Sequence, residues 1–485
     1  MYDGNIEFIK GNLLEFSIER ALYIHPLKEF FLNKIIIARL KIMKIRDWDR
    51  NLKIRLFGEF FVGATFWMFF PFMTLYFSET LGKGLTGLLL VTSQALSVVT
   101  NLFGGYCADR FGRKKMMVFS SFAQAIVGIF FALSSSPWLE SPLLAFICFA
   151  LIGSLGSFYS PASQAMVADV VSEKDRTSVF AVFYTVNNLT VVFGPIIGSL
   201  FFEHHRFELF LASAFVLGAL GFIINKWVSE TAPSLQPGAK PFIKTDDHWY
   251  DVAVDQVKSY SIIVRDKIFF LFIFAGILLS QTYMQLDLLI PVYVKEIVKK
   301  TISITWFPNI DFSIAGIHVY VPPAVELSAN NVFGAIVAEN GLIVILFTMF
   351  MTRIIHRFSE KYVFMWSALL YSISMIYIAF TTGYLGFFVA MFIFTIAEIM
   401  TAGIQMDFIA RIAPEELRGQ YYAVSGLRWT VGRLLAPLSI MGSQFLGFRF
   451  TFLSVAALAV FSAWLYFYLF TKADELYPKQ RLTDN

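Results

Sequence analysis

Charge, cysteine and histidine are all scarce in this chain of 485 residues. Charged side chains make up 15%, with 2 cysteines and 6 histidines. Cys107 and Cys148 both lie in or beside apolar segments, so no disulfide framework or cysteine metal cluster is available. The scattered histidines offer neither a metal-ligand set nor an assembled nucleophile and base, which argues against an enzyme. No G-x-x-x-x-G-K-[ST] loop occurs, which disfavours ATP-driven chemistry. A formal charge of +4, with its basic residues set between apolar segments, disfavours nucleic acid as a partner.

What is abundant is apolar surface. Hydrophobic residues form 57% of the chain and 55 positions are Phe, more than a soluble core of this length can bury. A spanning helix needs roughly 20 mostly apolar residues. Windows of that kind run over 56–77, 85–106, 116–135, 142–168, 179–202 and 209–228. A polar stretch with Glu230, Pro233, Pro237, Gly238, Pro241, Asp246, Asp247 and His248 follows. Six more windows run over 268–294, 332–354, 362–381, 384–410, 421–445 and 450–470.

The expected architecture is an all-α integral membrane protein of twelve transmembrane helices in two six-helix pseudo-symmetric bundles. Residues 1–55 form a cytoplasmic N-terminal segment, 56–228 the first bundle, 229–267 a cytoplasmic linker, 268–470 the second bundle and 471–485 a cytoplasmic tail. Residues 1–42 lack the apolar core and cleavage site of a signal peptide. They read either as an amphipathic lead or as a stretch upstream of a true start at Met43. Placing both termini in the cytoplasm puts Arg46, Arg110, Arg113, Lys114, Lys115, Arg353, Arg357 and Arg411 inside, as the positive-inside rule requires. The expected location is the cell membrane.

Between the seventh and eighth windows, residues 295–331 are rich in Ile, Val and Thr, with turn signals at Pro308-Asn309 and Ala315-Gly316. This predicts a small external β-hairpin, acting as a lid or as a recognition element.

The strongest local pattern is GYCADRFGRKK, from Gly105 to Lys115. Its glycines permit a sharp turn, Asp109 can receive helix N–H groups, and Arg113 can pair with a carboxylate. The combination G-x-x-x-D-R-x-G-R-K resembles the signature loop of the major facilitator superfamily. That resemblance implies gating roles for Gly105, Asp109, Arg110, Gly112 and Arg113. The stretch Pro161 to Phe202, with Asp169, Arg176 and G-P-x-x-G at Gly194, Pro195 and Gly198, is similar to the next part of that fold. RIAPEELRGQYYAVSGLRWTVGRLLAPL, from Arg411 to Leu438, echoes it in the second half.

Further pieces resemble the drug:proton antiporter branch, in particular its lactococcal secondary multidrug transporter type. These are WDRNLKIRL, MQLDLLIPVYV with Asp287, KTISITW, and AEIM with Glu398. The resemblance implies proton-driven export of cationic amphipaths, with Asp109, Asp169, Asp287 and Glu398 matching carboxylates that bind substrate or protons. Two departures stand against it: the fourth window, FALIGSLGSFYSP, holds no Arg, and Thr190 and Ser199 occupy positions where the antiporter motif prefers Gly.

The residues support an independent reading. An ionisable side chain inside a spanning helix is costly and by default marks a pathway or relay. On the helical rise, Glu398 lies about 21 Å from the outer end of its helix and Arg428 about 10 Å from the inner end of the next. Glu398 is therefore the expected proton-titrating carboxylate, its charge set by burial and by the approach of Arg428. Asp287 would help to neutralise a cationic substrate. A fixed ion pair of Glu398 with Arg428 is the competing reading. Glu339, Asn340 and Asp407 are weaker candidates.

The expected function is secondary active transport, proton-coupled efflux of amphipathic compounds by alternating access; the alternative is export or flipping of a specific lipid or metabolite. Expected partners are small amphipathic substrates, protons and membrane lipids, with no nucleic acid, no cofactor and no metal, acting as a monomer.

Overall fold

The computed structural model describes residues 45, 48–232, 235, 266–298, 302–305, 310–314, 317–321, 324–355, 357–401, 404–414 and 417–476. The expected lead over 1–42, most of the linker, the turns at Pro308-Asn309 and Ala315-Gly316, and the end of the tail lie outside these residues.

Six long helices come first: α1 (Arg50–Thr80), α2 (Lys83–Phe111), α3 (Arg113–Leu133), α4 (Pro142–Val170), α5 (Glu173–Phe201) and α6 (Arg206–Trp227). Then follow α7 (Lys267–Tyr283) and α8 (Leu289–Ile297), four short strands, α9 (Ala329–Ile355), α10 (Glu360–Phe380), α11 (Tyr384–Thr401), α12 (Gln405–Ile412), α13 (Arg418–Ser425), α14 (Leu427–Leu435) and α15 (Leu438–Leu476). Among the described residues eleven helical runs are long and apolar enough to cross a membrane, taking α7 with α8 and α11 with the start of α12 as single runs. Their lengths match the hydrocarbon core, and closed helical hydrogen bonding is what allows backbone to lie in lipid. The chain is a multi-pass membrane protein.

Breaks in these helices have local causes. Pro291 cannot donate to the carbonyl of Asp287, and the 268–294 window is split there into α7, a 3-10 turn over Met284–Leu286, and α8. The 421–445 window departs most from expectation, because it is not one helix. It is divided among α13, α14 and the start of α15, with Gly426 and Pro437 at the joints. The last helix in turn breaks at Gly447, whose φ of 74° only glycine adopts readily.

The packing pattern of the first half recurs in the second. α1 packs on α5 and α6, α3 on α4 and α6, and α2 on α4. Correspondingly α7 packs on α14 and α15, α10 on α11 and α15, and α9 on α11. The two sets meet through α5 with α9 and α2 with α15. Gly341 allows Val192 close in at the first seam, where an added Cβ would stand 2.8 Å from Val192 Cγ2. Ion pairs join the sets at the Lys83 end of the helices, Lys83 with Glu296 at 3.1 Å and Lys295 with Glu79 at 3.5 Å.

The strands β1 (Ile302–Thr305), β2 (Ile310–Ile314), β3 (Ile317–Val321) and β4 (Ala324–Leu327) pair antiparallel, β1 with β4 and β2 with β3. Ile302 stands opposite Leu327, and Ile310 opposite Val321.

Candidate functional site

A cavity of about 360 Å³ lies where α7, α11 and α14 face α5. Tyr184, Tyr283, Tyr371, Glu398, Arg428 and Arg433 are among its walls. Glu398, near the end of α11, is held by neutral groups. Its Oε2 accepts a 2.8 Å hydrogen bond from Asn340 Nδ2 on α9, and its Oε1 accepts a 3.4 Å bond from the Tyr283 hydroxyl. Asn340 is fixed in turn by donating to Thr395 Oγ1 at 3.0 Å. The Tyr283 ring stacks on Phe394 and meets Trp429 edge-on. The carboxylate is thus positioned by a rigid aromatic and amide frame. Among the described residues no Lys or Arg forms an ion pair with it.

Arg428 shares the cavity but not the carboxylate. Its guanidinium lies 5.2 Å over the Phe272 ring, its Nε is buried without an acceptor, and its carbonyl accepts from Ser280 Oγ at 2.6 Å. The side chain fits only because residue 276 is glycine: a Cβ there would stand 2.8 Å from Arg428 Cδ and 3.0 Å from Arg428 Cβ. Asp287 sits at the break between α7 and α8, with Oδ1 buried and unpartnered and Arg433 within electrostatic reach. Glu339 likewise has Oε2 buried without a partner. An unpaired buried acceptor is expensive.

The signature loop builds a separate cluster between α2 and α3. Arg113 pairs with Asp109 and, through Nε at 3.4 Å, with Asp169 at the end of α4. Gly112, at φ 104°, ends α2 and begins α3. Glu230 then caps α3, Oε1 accepting from Arg113 N at 2.8 Å and Oε2 from Lys114 N at 3.2 Å, a favourable place for a negative charge. Asp169 also accepts from Thr231 Oγ1 at 3.1 Å. Arg110 bonds the Tyr106 hydroxyl, whereas Gly105 borders open space. Arg176 donates to the carbonyls of Ala168 and Val171. Arg411 bridges Glu360 at 2.7 Å and Asp474 at 2.8 Å.

The structure therefore brings Glu398, Arg428 and Arg433 to one cavity. It places Asp169, Asp109 and Arg113 in another cluster, and Asp287 at a helix break. Sequence reasoning passed over Tyr283 and Tyr371, whose type is too common among aromatics to single out. It passed over Glu230 as linker polarity. Glu59, an acidic residue inside an apolar window, carried a legible signal.

The two sets of helices, the repeated packing and the α2–α3 loop carry a family signature that comparison with known proteins makes explicit: residues 55–317 and 309–483 match the model of the Major Facilitator Superfamily. The chain belongs to the Major Facilitator Superfamily. As a member it is a membrane transporter and not an enzyme. It is 47% identical over 433 residues to a Na(+), Li(+), K(+)/H(+) antiporter of Planococcus maritimus, covering 89% of this chain and 99% of that one. It is 24% identical to the multidrug resistance protein MdtH of Shigella flexneri, covering 78% and 82%. Among solved structures it is similar to a POT family transporter in complex with 5-aminolevulinic acid, at a TM-score of 0.68 and 16% identity, covering 89% of this chain and 98% of that one. A nucleoside transporter matches at a TM-score of 0.68 and 12% identity, covering 87% and 99%. These structures bear on the fold alone.

Proposed function

We propose that the chain is a proton-coupled antiporter of monovalent metal cations, Na⁺, Li⁺ or K⁺, working by alternating access in the cell membrane. The observation that carries this reading is Glu398, a carboxylate inside the membrane-spanning region bound only by neutral donors. An anion with no fixed countercharge must take up a proton or a cation to be stable there, and competition between the two at one site is what couples their fluxes. The antiporter relative, alike over nearly its whole length, supports the choice of ions. Asp287 adds a second negative centre, and Arg428 and Arg433 limit how much positive charge the cavity accepts.

In this reading twelve crossings form two halves over 56–228 and 268–470, α13, α14 and the start of α15 together making the eleventh crossing. Both termini are cytoplasmic. The Lys83–Glu296 and Glu79–Lys295 pairs close the outer side, while the Asp109–Arg113–Asp169 cluster belongs to the inner gate.

A second reading, efflux of amphipathic organic cations, is favoured by the lining of Tyr184, Tyr283, Tyr371 and Trp429, whose ring faces attract cations. Inverted vesicles energised to an acidic interior separate the two. If Na⁺, Li⁺ or K⁺ collapses the pH gradient and ethidium does not, the metal-cation reading holds. If only ethidium is accumulated, the organic-cation reading replaces it.

A further inference from the structure

α1 carries an ion pair of its own, remote in sequence from the Glu398 cavity. Glu59 lies nine residues into the helix, about 13 Å along its axis. At about 100° per residue it stands about 200° from both Phe57 and Phe61, which are 60% and 55% exposed as lipid-facing residues would be. Glu59 and Arg55 thus occupy the opposite face, towards α5.

The pair is loosely held. Arg55 Nη2 reaches Glu59 Oε2 at 3.5 Å. Arg55 is 7% exposed, yet its Nε and Nη1 are buried with no acceptor. A structural pair this deep would be expected to be bidentate and fully satisfied, because otherwise desolvation is not offset. Glu59, in contrast, keeps 35% of its side chain exposed. Arg55 has an alternative support, since its Cζ lies 4.2 Å over the Phe183 ring of α5. Tyr159 of α4 is within electrostatic reach of both charges, Phe183 of α5 faces Arg55, and Leu220 of α6 lies against the neighbouring Gly58.

We propose that Glu59 is a second ion-binding carboxylate of the transporter, taking a proton or a monovalent metal cation in place of Arg55, which remains on Phe183. The site rests on the exchange reading above and extends it: one cycle would then involve two titrating carboxylates, one in each half.

Cation occupancy can be counted without transport, whether the cation displaces a proton or Arg55. The purified full-length protein in detergent is titrated with radiolabelled Na⁺ at an ionic strength held constant with choline chloride, and bound Na⁺ per chain is measured. Glu59→Gln should bind about one Na⁺ per chain fewer than wild type, and Glu59→Asp nearly the wild-type number. Arg55→Gln should lower the Na⁺ concentration for half-saturation several-fold, because the competitor is gone. An unchanged number of bound Na⁺ in Glu59→Gln would overturn the second site while leaving the exchange reading intact. If Glu59→Gln does not elute as folded protein, an unchanged half-saturation concentration in Arg55→Gln overturns it instead. No Na⁺ binding by wild type would overturn the exchange reading and this site with it.

Discussion

The contact between Gly276 and Arg428 gives a sharp quantitative test of how the cavity wall is built. Replacing Gly276 with Ala places a methyl group 2.8 Å from Arg428 Cδ and 3.0 Å from its Cβ, against roughly 3.5–4.0 Å for comfortable carbon contact. Arg428 has little room to retreat. It is 4% exposed, lies over Phe272, and its backbone is tied to Ser280. Overpacking of this kind costs about 1–3 kcal/mol. If that strain is absent from the unfolding transition state, heat inactivation in detergent should quicken by roughly 5- to 150-fold. The half-life at a fixed temperature is the suitable measure, since such unfolding is usually irreversible. Arg428→Ala removes the 2.8 Å contact with Cδ but keeps the 3.0 Å contact with Cβ, so Gly276→Ala should cost less on that background, giving a coupling of about 1 kcal/mol in the double-mutant cycle. Strictly additive losses would refute the argument that this glycine exists to accommodate this arginine.

Glu230→Ala should cost about 0.5–2 kcal/mol by uncapping α3, seen as a lower melting temperature and earlier proteolysis near Arg113, with Glu230→Gln intermediate. Gly198→Ala should be severe, because its Cβ would come within 2.9 Å of the Met68 Cα and backbone cannot give way. Gly105→Ala, with nothing within 4 Å, should change the melting temperature hardly at all. Equal effects at the two glycines would contradict the packing described. Lys83→Cys combined with Glu296→Cys should be bridged by a bis-methanethiosulfonate reagent long enough to replace the two side chains, a cross-link that stops exchange and is reversed by dithiothreitol. Full activity in the cross-linked form would exclude the outer closure proposed here.

Much of this was legible in the sequence because lipid imposes a simple rule. Runs of about 20 apolar residues must be helices, and all but one of the expected windows became a long helical run. The exception, 421–445, is apolar enough in aggregate, but Gly426 and Pro437 cut the run into pieces. The carboxylates were legible for the same reason, since Asp287 and Glu398 stand out against an apolar background. Their partners were not. Depth along a helix placed Glu398 and Arg428 at one level, but azimuth and neighbouring side chains decide contact. Asn340 and Tyr283 reach the carboxylate first, while Arg428 turns to Phe272. The capping role of Glu230 depends on the chain returning to α3 after α6, a tertiary fact that local pattern does not contain.

The most direct test of the central claim uses inverted vesicles holding an imposed acid-inside pH gradient, reported by acridine orange quenching. Addition of NaCl, LiCl or KCl should dissipate the gradient with the wild-type protein and leave it intact with Glu398→Gln at equal expression. Wild-type dissipation persisting in Glu398→Gln would show that Glu398 is not the exchanging carboxylate and would contradict the account.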